Sequence, residues 1–178
     1  MQSGFHADLY DGSSIRFYFE REYRSRFQDD LWRFDRVIAK EGEDVVGVLS
    51  LACIDREPDQ DSRLWSYYQK SLIDNISTSS EYNRNVSEGS QGRGIGLLLY
   101  AVGHHIVLNE GMTLGHDHMQ TEPARRMWQH FHDAGWTRFR MTSVDVDLYE
   151  FDPEKMPDPK TILVLLNSRK NNLSLRAY

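Results

Sequence analysis

A single cysteine, Cys53, stands in a chain of 178 residues, so no intramolecular disulfide can form. Nothing here calls for an oxidising compartment. Cys53 lies in the apolar run Val45 to Ile54, a setting that suits a buried, inert thiol better than a nucleophile. Long apolar runs are missing too, since no stretch approaches the roughly 20 residues that a membrane-spanning helix needs. No basic-then-apolar segment opens the sequence. The expectation is a cytoplasmic protein with no membrane partner, in which the Asn-x-Ser triplets at Asn75, Asn85 and Asn172 carry no glycan. Basic charge is in deficit: 21 Lys and Arg face 27 Asp and Glu, for a net charge of −6. Nonspecific nucleic-acid binding needs a basic face, so nucleic acid is not an expected partner. An acidic surface suits a cationic substrate such as an amine, and is also common among cytosolic proteins. Internal repeats and low-complexity tails are absent.

What is present suits a folded domain. Hydrophobic residues make up 39% and aromatic residues 12% of the chain, enough for one domain over 1–178 with a sizeable core. The most informative stretch is Gln91-Gly92-Arg93-Gly94-Ile95-Gly96. Three glycines in five residues let the backbone turn sharply and point its N–H groups into one concavity. From there Ile95, Leu98, Leu99, Val102 and Ile106 recur at helical spacing. A nest of N–H groups at the positive end of a helix binds a phosphate or pyrophosphate.

Elsewhere the pattern predicts a helix over most of Ser13 to Asp30, within an N-terminal helical segment 1–34, although Ile15 to Phe19 alternates like a strand. A β-hairpin is expected from Arg36–Lys40 and Val45–Leu51 about a turn at Gly42. Residues 55–80 read as an insertion or cleft-shaping loop. Glu81 to Val86 is a polar strand, required mainly because the glycine turn needs something rigid before it. The glycine-led helix runs from Gly94 to about Asn109 and stops at Gly111. A short strand Met112–Gly115 follows. Then comes a helix capped by Thr121, with Pro123 in its first turn, an apolar stripe of Ala124, Met127, Trp128 and Phe131, and an end at Gly135. A strand within Val144 to Phe151 and another over Thr161–Leu166 complete an α/β fold: a mixed, mainly antiparallel sheet with flanking helices.

This order and its turn resemble the GNAT acyltransferase superfamily, whose members take an acyl group from acyl-CoA. The family signature is Gln or Arg, two residues, Gly, one residue, then Gly or Ala; Gln91, Gly94 and Gly96 match it. Val86 occupies the hydrophobic position five residues upstream. Thr121 and Ala124 match the small polar residue and the Ala of the family's later helix, and the second hairpin strand carries Gly47. The likeness spans about residues 36–166. Trp128 and Gly135 resemble a small variant that includes bacteriophage members.

The resemblance implies acetyl-CoA as co-substrate. It implies a cofactor site of Val86, Gln91, Gly92, Arg93, Gly94, Ile95, Gly96, Thr121 and Trp128, in which Arg93 adds charge to the nest and Trp128 belongs to the core or packs on CoA. The acceptor would be an amine of a small molecule, a protein lysine or an N-terminus, and a homodimer is an allowed assembly. The chain departs from the family where many members carry a thiolate-protonating Tyr four residues after the Ala: Trp128 stands there, and an indole N–H cannot do that work. Candidate catalytic residues are therefore Glu81 as general base, His116 as a second base at the end of its strand, and Tyr82 as a replacement acid. The alternative reading is a degenerate member that binds CoA or a partner without catalysis. The glycine spacing is wrong for the dinucleotide motif G-x-G-x-x-G. Six histidines cluster in sequence, His104, His105, His116, His118, His130 and His132, but no hydrolytic zinc signature is complete and no metal is expected.

Overall fold

The alternation of Ile15, Phe17 and Phe19 with Arg16 and Tyr18 decides the first half of the molecule. The computed structural model describes residues 2–27, 30–53, 77–86, 88–116, 122–143 and 146–168, with backbone only for 2–3, 23–27, 30–32, 52–53, 77–86, 88, 123, 141–143 and 146–147. Four strands form an antiparallel meander: β1 (Gln2–Asp8), β2 (Ser14–Phe27), β3 (Asp30–Glu41) and β4 (Asp44–Cys53). Ile15 and Phe17 are buried while Arg16 is exposed, which is the period of a half-buried strand. The helix expected over 13–30, and with it the helical segment 1–34, is thus corrected to strand: aromatic residues two apart bury one face of a sheet, whereas four-residue spacing recurs only by accident. The predicted hairpin is present, with Glu41 opposite Asp44 across the Gly42 turn.

The second half supplies β5 (Ser77–Val86), a short 3-10 turn at Glu88–Ser90, helix α1 (Ile95–Leu108), β6 (Met112–Gly115), α2 (Glu122–Asp133), β7 (Thr137–Ser143), β8 (Val146–Phe151) and α3 (Pro159–Ser168). The eight strands make one sheet in the order β1-β2-β3-β4-β5-β6-β8-β7. Among the described residues only β5 and β6 pair in parallel, and α1 crosses between them. The architecture is mixed α/β with a mainly antiparallel sheet and flanking helices.

Three further differences from the sequence reading have local causes. Ser77–Ser80, assigned to the loop 55–80, belong to β5, where pairing with β6, and at Ser79 and Ser80 with β4 as well, overrides the poor propensity of the serines; residues 54–76 lie outside the described residues. Thr161–Leu166 is helix, because Asp158 caps it and Pro159 starts it. The Asp158 Oδ1 accepts the backbone N–H of Lys160 at 2.8 Å and of Thr161 at 2.9 Å. An apolar run of six residues does not distinguish the two periods. Thr137–Ser143, where no element was expected, is strand β7, the partner of β8.

The core lies under α1. Ala7, Ile15, Phe17, Val37, Ala39, Leu49 and Leu51 form its sheet side. A Cβ on Gly103 would sit 2.9 Å from Leu49 and 3.7 Å from Val37, so the glycine lets α1 approach the sheet closely. Helix α1 is buried nearly all round, from Ile95 to Val107, as suits a helix enclosed between a sheet and other elements. At its C-terminal end Arg21 and Arg33 meet Asp35 and Glu110, with N–O distances from 2.6 to 3.0 Å, closing the charged end of the core with two charges of each sign.

Candidate active site

Two gaps in backbone pairing define the site. The parallel pairing of β5 with β6 ends at Ser80 opposite Gly115, while β5 runs on to Val86. Among the described residues, Glu81–Val86 is paired only with β4. On that side Leu51 faces Glu81 and Ser50 faces Asn83, so Tyr82 is an extra residue, a β-bulge. At Glu81 and Tyr82 a central strand therefore has, among the described residues, one neighbour only, and is locally irregular against it. β5 runs on for about 17 Å from Glu81 to Val86, and the glycine turn begins at Gln91, after the 3-10 turn Glu88–Ser90.

In that turn Gly92 and Gly94 have φ of 79° and 84°, left-handed values that a side chain opposes. Gly94 is the N-cap of α1 and its carbonyl accepts from Leu98 N–H at 3.1 Å. No side chain caps the helix. The leading N–H groups of α1 thus carry the positive end of the helix dipole at the turn where the sequence leads us to expect a concavity, with no acidic residue in the first turn of the helix. Behind Gly94 stands α3: a Cβ there would meet both Leu166 methyls at 2.7 Å. Gln91 and Gly92 are exposed, Gly96 is half-buried, and Ile95 puts its side chain into the core while its N–H stays with the turn.

Arg93 does not aim at the concavity. Its Nη1 and Nη2 donate to the two Glu41 carboxylate oxygens at 2.8 and 2.9 Å, and its Nε donates to Asp11 at 2.9 Å. The Arg93 hydrogen bonds hold the Glu41 carboxyl below its ordinary range, and those of Glu41 raise the guanidinium further above its own. Sequence reasoning missed both acids, which lie 52 and 82 residues from Arg93 and carry no local signal.

The other candidates divide. Glu81 and Tyr82 stand together at the bulge, their side chains outside the described part of the structure, as is that of Val86, opposite Gly47. Thr121 and His118 also lie outside the described residues. His116 directly follows Gly115, at the level where β5 and β6 part. It is buried, and its Nε2 accepts the Tyr149 N–H at 3.1 Å, which places the proton of the neutral ring on Nδ1. Trp128 is a core residue, stacked on Phe151 at 4.7 Å and edge-on to Tyr100 at 5.8 Å, with 4% exposure. Its packing on His116, at 5.1 Å between ring centroids, joins α2 to the end of β6. His132 bonds Thr137 through Nδ1, and His130 lies against Trp136. Among the described residues no three His, Cys, Asp or Glu come together as a metal site would require.

No family model and no curated protein matches the chain. Solved structures do. One, assigned to the GNAT acetyltransferase family, from Desulfovibrio desulfuricans, is 16% identical with a TM-score of 0.42, over 66% of this chain; the chain spans 65% of that one. A mutant AtaT toxin bound to acetyl-CoA and the C-terminus of the antitoxin AtaR is 18% identical with a TM-score of 0.42, over 75% of this chain and 72% of that one. The same mutant toxin with the antitoxin C-terminus alone is 14% identical with a TM-score of 0.41, over 89% of this chain and 99% of that one. Of these three structures, one is described as a GNAT-family acetyltransferase and another holds acetyl-CoA.

Proposed function

We propose that the protein is an acyl-CoA-dependent N-acyltransferase, using acetyl-CoA to acylate an amine. The observation that carries this reading is the side of β5 from Glu81 to Val86 that has no partner among the described residues, and that runs from a bulge toward the glycine turn and an uncapped helix N-terminus. An acyl-CoA has the matching order of groups. Its pyrophosphate suits the N–H groups of Gln91–Gly96. The amides of its pantetheine arm suit the backbone groups left open along β5, as an added strand would. Its thioester then falls beside Tyr82, where irregular backbone leaves N–H groups for the developing oxyanion.

In this reading the neutral amine attacks the thioester carbonyl carbon, the C–S bond breaks, and CoA leaves as the thiol once its sulfur gains a proton. Glu81 is the candidate acceptor of the proton that the amine loses. Tyr82 is the candidate donor to the sulfur, in place of the tyrosine that Trp128 replaces. His116 would have to act through Nδ1, since Nε2 serves Tyr149. The acceptor is a small-molecule amine or a protein amine.

Calorimetric titration tests the reading. Acetyl-CoA should bind, acetyl-pantetheine, which lacks the pyrophosphate, should bind far more weakly, and Gly94→Asp should abolish the difference between them. Equal binding of both thioesters by the unaltered protein would refute the phosphate cradle. For catalysis, Glu81→Gln should slow turnover by roughly 10²-fold and flatten the rise of rate with pH. A second reading, a CoA-binding module without catalysis, is favoured by Trp128 at the acid position and by the engagement of His116. Acetyl-CoA binding with no thiol release above buffer, across polyamines, lysine peptides and aminoglycosides, would support it.

A further inference from the structure

The one side chain within Gly92–Gly94 belongs to Arg93, and it points to two carboxylates from distant turns. Asp11 lies in the turn between β1 and β2, where the Ser13 N–H donates to it at 2.9 Å and the Ser13 hydroxyl donates as well. Glu41 ends β3, at the mouth of the Gly42 turn. The guanidinium is thus held on three of its donors, and its side chain is only 17% exposed. Two acids on one base leave the cluster with a net negative charge beside an uncapped helix N-terminus. A guanidinium meant for phosphate would first have to leave a bidentate, charge-assisted pair.

We propose that Arg93 is a positioning residue: Glu41 and Asp11 hold it so that the glycine turn is braced against the meander and an anion meets backbone N–H groups, not a guanidinium. This deepens the cofactor reading above and rests on it for the identity of the anion. Gly92 and Gly94 are free to swing through left-handed conformations, so the turn has little stiffness of its own. Fixing the residue between them fixes the direction of both neighbouring peptide groups. It also ties the glycine turn to two turns of the meander, those at Asp11 and Gly42, which the β2–β3 ladder already sets side by side with Ile15 opposite Glu41.

The sign of one substitution separates brace from ligand. If Arg93 is a brace, Glu41→Gln loosens the turn and weakens acetyl-CoA binding by about tenfold, in the same direction as Arg93→Met. The double variant is then no worse than Arg93→Met alone, and acetyl-pantetheine, followed by competition, is unaffected by any of them. If Arg93 is a phosphate ligand, Glu41→Gln frees it and removes a repelling charge, so acetyl-CoA binds as well or more tightly; that result overturns the proposal. Backbone order parameters of Gly92 to Gly96 from 15N relaxation of the unliganded protein give a measure that needs no cofactor. They should fall in Glu41→Gln and in the milder Asp11→Asn, while the interior of α1 stays rigid. Unchanged order parameters in both variants overturn the brace. Should the unaltered protein bind no acetyl-CoA, the cofactor reading falls and the order parameters alone decide the brace.

Discussion

Gly92 and Gly94 share a left-handed backbone but differ in what surrounds them, and the difference can be measured. Open space lies where a Cβ on Gly92 would go, whereas on Gly94 it would press on the Leu166 methyls. Either glycine replaced by alanine pays about 1–2 kcal/mol for the left-handed φ. Gly94→Ala must also displace Leu166, so it should lower the unfolding midpoint further than Gly92→Ala in matched denaturant titrations. A second residue, His104, sets a pH limit. It is 3% exposed, lies against Phe151 at 5.1 Å, and neither ring nitrogen has a hydrogen-bond partner among the described residues. Burial first, and then the neighbouring His105 charge, depress its pKa from 6.5 to about 4. The unfolded chain therefore takes up this proton near pH 6.5, while the folded protein takes it up only near pH 4. Stability is complete above pH 6.5, falls between the two values and levels off below pH 4, a loss of about 3 kcal/mol in all. Unfolding titrations at pH 7, 5.5 and 4 should show that decline, and His104→Leu should remove most of it.

At the scale of elements, α3 acts on the site without touching a ligand. Ile162 and Leu166, four residues apart, are its buried anchors, and Leu166 backs Gly94. Leu166→Ala should cost about 2–3 kcal/mol and loosen the glycine turn, so acetyl-CoA affinity should fall together with stability. Asp158→Ala, which removes only the cap, should cost about 1 kcal/mol and leave affinity nearly unchanged. Calorimetry and thermal melts on both variants would separate the two effects.

The elements that sequence disclosed best are those whose signals are local. Gly94, Gly111 and Gly135 bracket α1 and α2, and the stripe Ala124, Trp128 and Phe131 is buried as its spacing required. The hairpin at Gly42 was legible for the same reason. Strand β2 was not, because its aromatic residues satisfy a period of two and, more loosely, a period near four. Helix α3 was not, because Ile162 to Leu166 is apolar throughout and its decisive cap, Asp158, reads as part of a loop. The cradle was legible as Gln91–Gly96, whereas its brace and the bulge at Tyr82 exist only through pairing between distant segments.

Across the whole molecule, the seam between β6 and β8 is short among the described residues. β6 and β8 pair at Gly115 opposite Glu150, extended by the two hydrogen bonds between His116 and Tyr149. Side chains reinforce it: the buried Glu150 carboxylate accepts from Thr113 Oγ1 at 2.8 Å and from Arg138 Nε at 2.7 Å. Glu150→Ala would leave Arg138 and Thr113 facing an empty site and should destabilise the fold by about 3 kcal/mol. Amide exchange should then rise first in β7 and β8, with the meander the last region to open.

The strand order also prescribes a sequence of events at birth. β1 to β4 are joined by hairpin connections and can assemble as soon as about fifty residues have been synthesised, whereas β5 and β6 can pair only after α1 has been laid across them. Until then the outer edge of β4 has no neighbour, and it carries Val45, Val46, Val48, Leu49 and Leu51, a run suited to pairing with another nascent chain. In pulse-labelled refolding the meander should gain protection before β6 and β8, and yield should drop steeply with protein concentration during that interval.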